Sequence, residues 1–144
     1  MSLNFNIYFL KGNGKMKKAI MYGAGNIGRG FIGQLLHMSG YEISFIDVNM
    51  TVIDKLNTDG EYPIYITEGE GYREYLVTGV SGVDGRDNEA IAEAISEADI
   101  MATAVGVNIL KFIAAPFAGG VRRRRKPCRG LCARHRPQVR LAPA

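Results

Sequence analysis

Apolar positions along this chain switch between two periods. K-A-I-M-Y at 18–22 is a short apolar run closed by glycine, as expected of a parallel strand covered on both faces. From there the pattern changes to Ile27, Phe31, Ile32, Leu35 and Leu36, one face of a helix. Gly40 is placed to end that helix. E-I-S-F-I-D predicts a second strand ending on Asp47. N-M-T-V-I-D-K-L-N predicts a short helix with Met50, Ile53 and Leu56 turned inward.

The next stretch is different. Y-P-I-Y-I-T and Y-R-E-Y-L-V-T alternate, are rich in tyrosine, and flank E-G-E-G, which predicts an antiparallel hairpin over 62–80. The chain then returns toward the sheet by Val83. Asp87 or Asn88 can cap a helix whose stripe is Ile91, Ala94 and Ile95. D-I-M-A-T-A-V-G predicts a buried strand ending in Gly106. A last helix is expected from Asn108 to Phe117, stopping near Gly119-Gly120. Strands alternating with helices imply βαβ units and a parallel sheet.

The first strand and first helix are joined by G-A-G-N-I-G-R-G-F-I-G, five glycines in eleven residues. A G-x-G-x-x-G pattern alone is a weak signal. Here a strand precedes it, a helix follows it, and Asp47 lies 19 residues after Gly28 at the end of the next strand, the context that identifies a dinucleotide-binding turn. Gly23 permits the tight turn, Gly25 lets backbone approach a pyrophosphate, and Gly28 lets helix and strand pack closely. The free N–H groups near Asn26 to Gly28 form the anion-binding helix start, and Ala24 and Ile27 are counted with them as cofactor-binding residues. Asp47 is suited to the ribose hydroxyls and repels a 2′-phosphate, which favours NAD over NADP. Ligands in open α/β sheets lie beyond the carboxyl ends of the strands, so Thr103, Ala104, Val105 and Gly106 are expected to line the same crevice. Gly30 and Gly33 are costly inside a helix, which points to a close approach at each, either of the sheet or of a ligand. Arg29 is read either as a phosphate contact or as a solvated side chain. His37 is read as a packing or surface residue.

M-K-K-A-I-M-Y-G-A-G-N-I-G-R-G-F-I-G, F-I-D-V-N and T-A-V-G together resemble the start of the polyol-specific long-chain dehydrogenases, on the side of the mannitol-1-phosphate 5-dehydrogenases. The resemblance runs from about Met16 to Gly120. It implies a Rossmann-like doubly wound parallel sheet carrying the hairpin as an insertion. It also implies NAD(H) held by the residues named above, and hydride exchange between NAD and a sugar alcohol phosphate, giving a ketose phosphate such as fructose 6-phosphate. The family's catalytic residues lie in a further, helical domain, and no residue here matches their motif. No catalytic residue is therefore assigned. Two alternatives stay open: a module that holds NAD(H) without turnover, and a piece of a related polyol or hexuronate dehydrogenase.

Charge divides the chain. Residues 1–121 carry 9 Lys+Arg and 14 Asp+Glu, a net of −5, whereas residues 122–144 carry 9 Lys+Arg and no acid. The domain is therefore read as 16–121, with 1–15 as an extension and 122–144 as a basic tail. The tail has no aromatic to stack on bases, so no specific nucleic-acid partner is expected. Cys128, Cys132 and His135 do not fit a common zinc spacing, so no metal site is assigned. The abrupt change to Arg, Pro, Cys and Ala reads as GC-rich coding sequence translated out of frame, giving a non-native or disordered end. On that reading the sheet is truncated after the fourth parallel strand, with an exposed edge that invites self-association. No apolar run reaches the ~20 residues of a membrane span and no signal peptide is read, so a cytoplasmic location is expected.

Overall fold

The computed structural model describes residues 16–124, 129–133 and 139–141. The extension over 1–15, Cys128 and His135 lie outside them. Strand β1 (Lys17–Tyr22) is followed by a π-helical turn, Gly28–Gly33, that runs on into α1 (Gln34–Met38). Then come β2 (Tyr41–Asp47), α2 (Met50–Asp59), the hairpin β3 (Glu61–Glu68) and β4 (Gly71–Thr78), and β5 (Val80–Asp84). The chain continues through α3 (Asn88–Glu97), β6 (Ile100–Thr103) and α4 (Val107–Arg122) to β7 (Arg129–Ala133) and β8 (Val139–Leu141).

The main sheet has the order β5-β2-β1-β6-β7-β8. All its pairings are parallel except β7 with β8. Strand order reverses between β1 and β6, which places the topological switch point there. Each face of the sheet carries its own core. Ala19, Met21, Ile43 and Phe45 pack with Ile32, Leu36 and Leu56 of the helices on one face. Ile20, Tyr22, Ile46 and Met101 pack with Ile91, Ile95 and Ile113 of α3 and α4 on the other. The hairpin forms a separate two-stranded sheet and contributes Tyr62 and Val77 to the first core.

Three expectations are corrected. First, the sheet does not end at its fourth parallel strand: β7 pairs with β6 from Ile100↔Arg129 to Thr103↔Cys132. The basic composition hid this, because backbone pairing needs no particular side chains and G-L-C-A followed by V-R-L is extended enough to supply it. The outer edge of β6 is paired by β7. Second, α4 does not stop at Gly119-Gly120 but continues to Arg122. Gly120 is a packing site: a Cβ there would stand 2.5 Å from Ile95 Cβ, so the glycine lets α4 lie close against α3. Third, the stripe from Ile27 to Leu36 does not face inward as a whole. Ile32 and Leu36 are buried, whereas Phe31 (53% exposed) and Leu35 (48%) point away.

Local chemistry explains the remaining ends. Asp87 caps α3 by accepting from the N–H groups of Glu89 and Ala90. Gly40 and Gly60 adopt left-handed φ of 81° and 67° after α1 and α2, a conformation that costs glycine little. Among the described residues no helix is long and apolar enough to cross a membrane.

Candidate functional site

The glycine turn lies where three strand ends converge. The N–H of Gly23 donates to the Ile46 carbonyl at 2.8 Å, and that of Ala104 to the Tyr22 carbonyl at 2.8 Å. The carboxyl ends of β1, β2 and β6 are thus stitched together. Gly23 has φ of 105°, and a Cβ on it would fall 2.7 Å from the Ala104 carbonyl oxygen and 3.1 Å from Val105 Cγ1. The turn therefore rests directly against the loop Thr103–Gly106, as expected from the sequence.

The three motif glycines answer to three different constraints. Gly28 is buried, and a side chain on it would overlap the Gly23 carbonyl oxygen. Gly25, Asn26 and Ile27 are exposed at the mouth of the crevice. An added Cβ on Gly25 meets nothing within 4 Å. No contact with the described residues requires glycine there. The helical N-terminus that begins at this point contributes free N–H groups and the positive end of its dipole.

Asp47 sits beside the turn. Its Oδ2 accepts from the Ala24 N–H at 2.7 Å and its Oδ1 from the Asn49 N–H at 2.9 Å. The Ala24 carbonyl accepts from Arg29 Nε at 2.6 Å. Both polar groups of Ala24 are thereby fixed, and the peptides that follow are held in one orientation. Arg29 is thus folded back onto the glycine turn through its Nε rather than extended into solvent. Asp47 also raises the pKa of the buried Tyr22 hydroxyl, after burial itself, which is the larger cause.

Tyr62, from the hairpin, was not legible in the sequence as part of this site. Its hydroxyl donates to the Arg29 carbonyl at 2.8 Å and occupies the space in which Gly33 would carry a side chain. Its ring meets Phe45 edge to face at 5.9 Å. Burial raises the pKa of this phenol strongly, with Arg29 acting in the opposite direction. The close approach expected at Gly33 is therefore to the hairpin. At Gly30 an added Cβ meets nothing within 4 Å, so no packing contact with the sheet or the hairpin accounts for that glycine. The π-helical turn is the form the helix takes across this contact, and such turns cluster at functional sites. His37 has a packing role: Nδ1 lies 2.7 Å from the Tyr75 hydroxyl and Nε2 3.0 Å from Thr78 Oγ1, joining α1 to β4.

No group of His, Cys, Asp and Glu among the described residues is arranged to hold a metal. A glycine turn between β1 and a helix, an acid closing β2, and a neighbouring loop at the switch point define a class, the Rossmann domains that bind nicotinamide dinucleotides. The chain belongs to a particular family of that class: residues 17–131 match the family described as the mannitol dehydrogenase Rossmann domain.

Relatives agree. The chain is 46% identical over 112 residues to a mannitol-1-phosphate 5-dehydrogenase of Streptococcus mutans, covering 77% of this chain and 29% of that protein. It is 50% identical over 106 residues to the enzyme of the same name from Brevibacillus brevis, covering 74% and 27%. The chain thus spans less than a third of the length of these curated relatives. Among solved structures, a Rossmann-fold NAD(P)-binding family protein from Shigella flexneri superposes with a TM-score of 0.48 at 17% identity, over 75% of this chain and 47% of that one.

Proposed function

We propose that this chain holds NAD(H) as the cofactor-binding part of an oxidoreductase that interconverts mannitol 1-phosphate and fructose 6-phosphate. The observation that carries the reading is the open cradle at Gly25, bounded by the Gly23–Gly28 turn, Asp47 and the Thr103–Gly106 loop. The pyrophosphate would lie against Gly25, Asn26 and Ile27, where backbone N–H groups and the helix dipole favour an anion. Asp47 would accept from the adenosine ribose hydroxyls. Its charge supports NAD over NADP, because a 2′-phosphate brought to it would be repelled. The Thr103–Gly106 loop would border the nicotinamide half of the crevice. When bound, NAD accepts a hydride at its nicotinamide ring, and NADH returns it.

The polyol-phosphate substrate follows from the names of the relatives and from the match in residues 17–131. Groups that bind this substrate and move its proton are assigned to the part of the relatives' length that this chain does not span. Binding without turnover by this polypeptide alone is the corresponding expectation. Fluorescence titration with NADH, followed by a hydride-transfer assay with NADH and fructose 6-phosphate, tests both halves. Saturable NADH binding with no oxidation of NADH is the expected result. Absence of NADH binding overturns the cofactor assignment, and steady turnover overturns the assignment of the substrate groups elsewhere.

A further inference from the structure

The corner that follows β5 lies beside Asp47. Asp47 and Asp84 are register partners on neighbouring parallel strands, so their backbones are about 4.8 Å apart. The N–H of Gly85 donates to the Asp47 carbonyl at 2.9 Å. A Cβ on Gly85 would stand 3.1 Å from Val48 Cγ1. The glycine thus brings the corner against the residues that end β2, and the next residue is Arg86. Its guanidinium does not point freely into solution. Nε and Nη2 donate to the two Asp84 carboxylate oxygens at 3.0 and 3.1 Å, and the Arg86 N–H donates to Oδ1 at 3.0 Å. The Asp84 carboxyl is held below the usual carboxylate range by these same bonds.

Resting on the cofactor site proposed above, we infer that Asp84 is a specificity-determining residue, which acts by withholding Arg86 from the adenosine ribose. An arginine next to the ribose is what admits a 2′-phosphate in dinucleotide sites of this architecture. Here the fold brings such an arginine to the correct corner, and a fork-to-fork pair with Asp84 uses the donors a phosphate would need. The pair is neutral in sum, which leaves the Asp47 charge as the dominant field at the ribose. The discrimination against NADPH therefore has two parts: repulsion by Asp47, and sequestration of Arg86 by Asp84. The pair is largely exposed, with Arg86 at 63%, so releasing the guanidinium requires no rearrangement of the core.

The experiment is a pair of titrations, NADH and NADPH, on the full chain and on Asp84→Asn, Asp84→Ser and Asp84→Asn combined with Arg86→Ala. The expected result is that both single variants raise NADPH affinity relative to NADH by about fivefold or more, the scale of one charge-assisted hydrogen bond at a partly solvated site. Removing Arg86 as well abolishes the gain, and 0.5 M salt diminishes it. A merely structural role for Asp84 would weaken both nucleotides together and leave their ratio unchanged. An unchanged ratio with intact NADH binding overturns this inference alone, as does a gain that survives loss of Arg86. Failure of the unmodified chain to bind NADH overturns the cofactor site and this inference with it.

Discussion

The Ala24 N–H donates to Asp47 Oδ2 at 2.7 Å, so the carboxylate proposed for the ribose also braces the glycine turn. The two roles separate by substitution. Asp47→Ala removes an acceptor from two backbone N–H groups and is expected to cost about 2 kcal/mol of stability as well as NADH binding. Asp47→Asn keeps one acceptor for the turn and loses the charge. It is expected to keep the melting temperature closer to that of the parent chain while weakening NADH about tenfold. Thermal melts and NADH titrations of both variants check this. Equal losses of stability would show that the charge, not the acceptor, braces the turn.

Gly25 and Gly28 should fail in opposite ways. Gly28→Ala places a methyl group on the Gly23 carbonyl oxygen, and such overpacking costs about 1–3 kcal/mol or more, measurable by urea unfolding. Gly25→Ala meets no protein atom and leaves the unfolding midpoint near that of the parent chain. It projects into the space proposed for the pyrophosphate, so NADH affinity is expected to fall at least tenfold. A Gly25→Ala chain that binds NADH normally would remove the reason given for that glycine.

The hydroxyl of Tyr62 is expected to contribute about 1 kcal/mol through its bond to the Arg29 carbonyl. Tyr62→Phe leaves the ring packed on Phe45 and removes that bond alone. Gly33→Ala should be more damaging, and less so when Tyr62 is also changed to Ala, because part of the clash is with the tyrosine oxygen. A double-mutant cycle by denaturant unfolding measures the coupling. Strict additivity would contradict the contact.

Acidification should loosen the attachment of the hairpin to α1. Burial lowers the pKa of His37 from its ordinary value of 6.5, so the unfolded chain binds this proton more readily than the folded one. The stabilisation is complete above the ordinary value and is lost as pH falls from there through the lowered one. His37 faces the hydroxyls of Tyr75 and Thr78, which supply no charge to hold the imidazolium. Melting temperature between pH 7.5 and 5 is therefore expected to fall more steeply for the parent chain than for His37→Gln. Parallel curves would exclude His37 as the source.

What could be read in advance depended on the range of the interaction. The turn at Gly23–Gly28, the acid at Asp47 and the cap at Asp87 are local patterns with a fixed physical meaning, and each took its expected place. Contacts between distant segments left no such mark. Tyr62 looked like any strand aromatic until the hairpin folded its hydroxyl onto Arg29, 33 residues away. Gly119-Gly120 looked like a helix stop because the partner that makes Gly120 useful, Ile95, lies on another helix. The stripe beginning at Ile27 does not stay on one face, because a π-helical turn breaks the 3.6-residue period on which that reading relied. The strands β7 and β8 were obscured by composition, although sheet pairing is carried by backbone groups.

Strand β5 ends the sheet opposite β8, yet three of its peptide groups are already engaged by neighbouring segments. Asn57 of α2 donates through Nδ2 to the Gly82 carbonyl at 3.0 Å and accepts from the Gly82 N–H at 2.7 Å. The Val80 N–H reaches the Gly60 carbonyl at 3.2 Å. A side-chain amide thus imitates one residue of a missing neighbour strand and blocks the row of donors and acceptors that another chain would seek. Growth of this sheet is consequently one-sided: strands are added beyond β6, while the β5 margin is sealed from within.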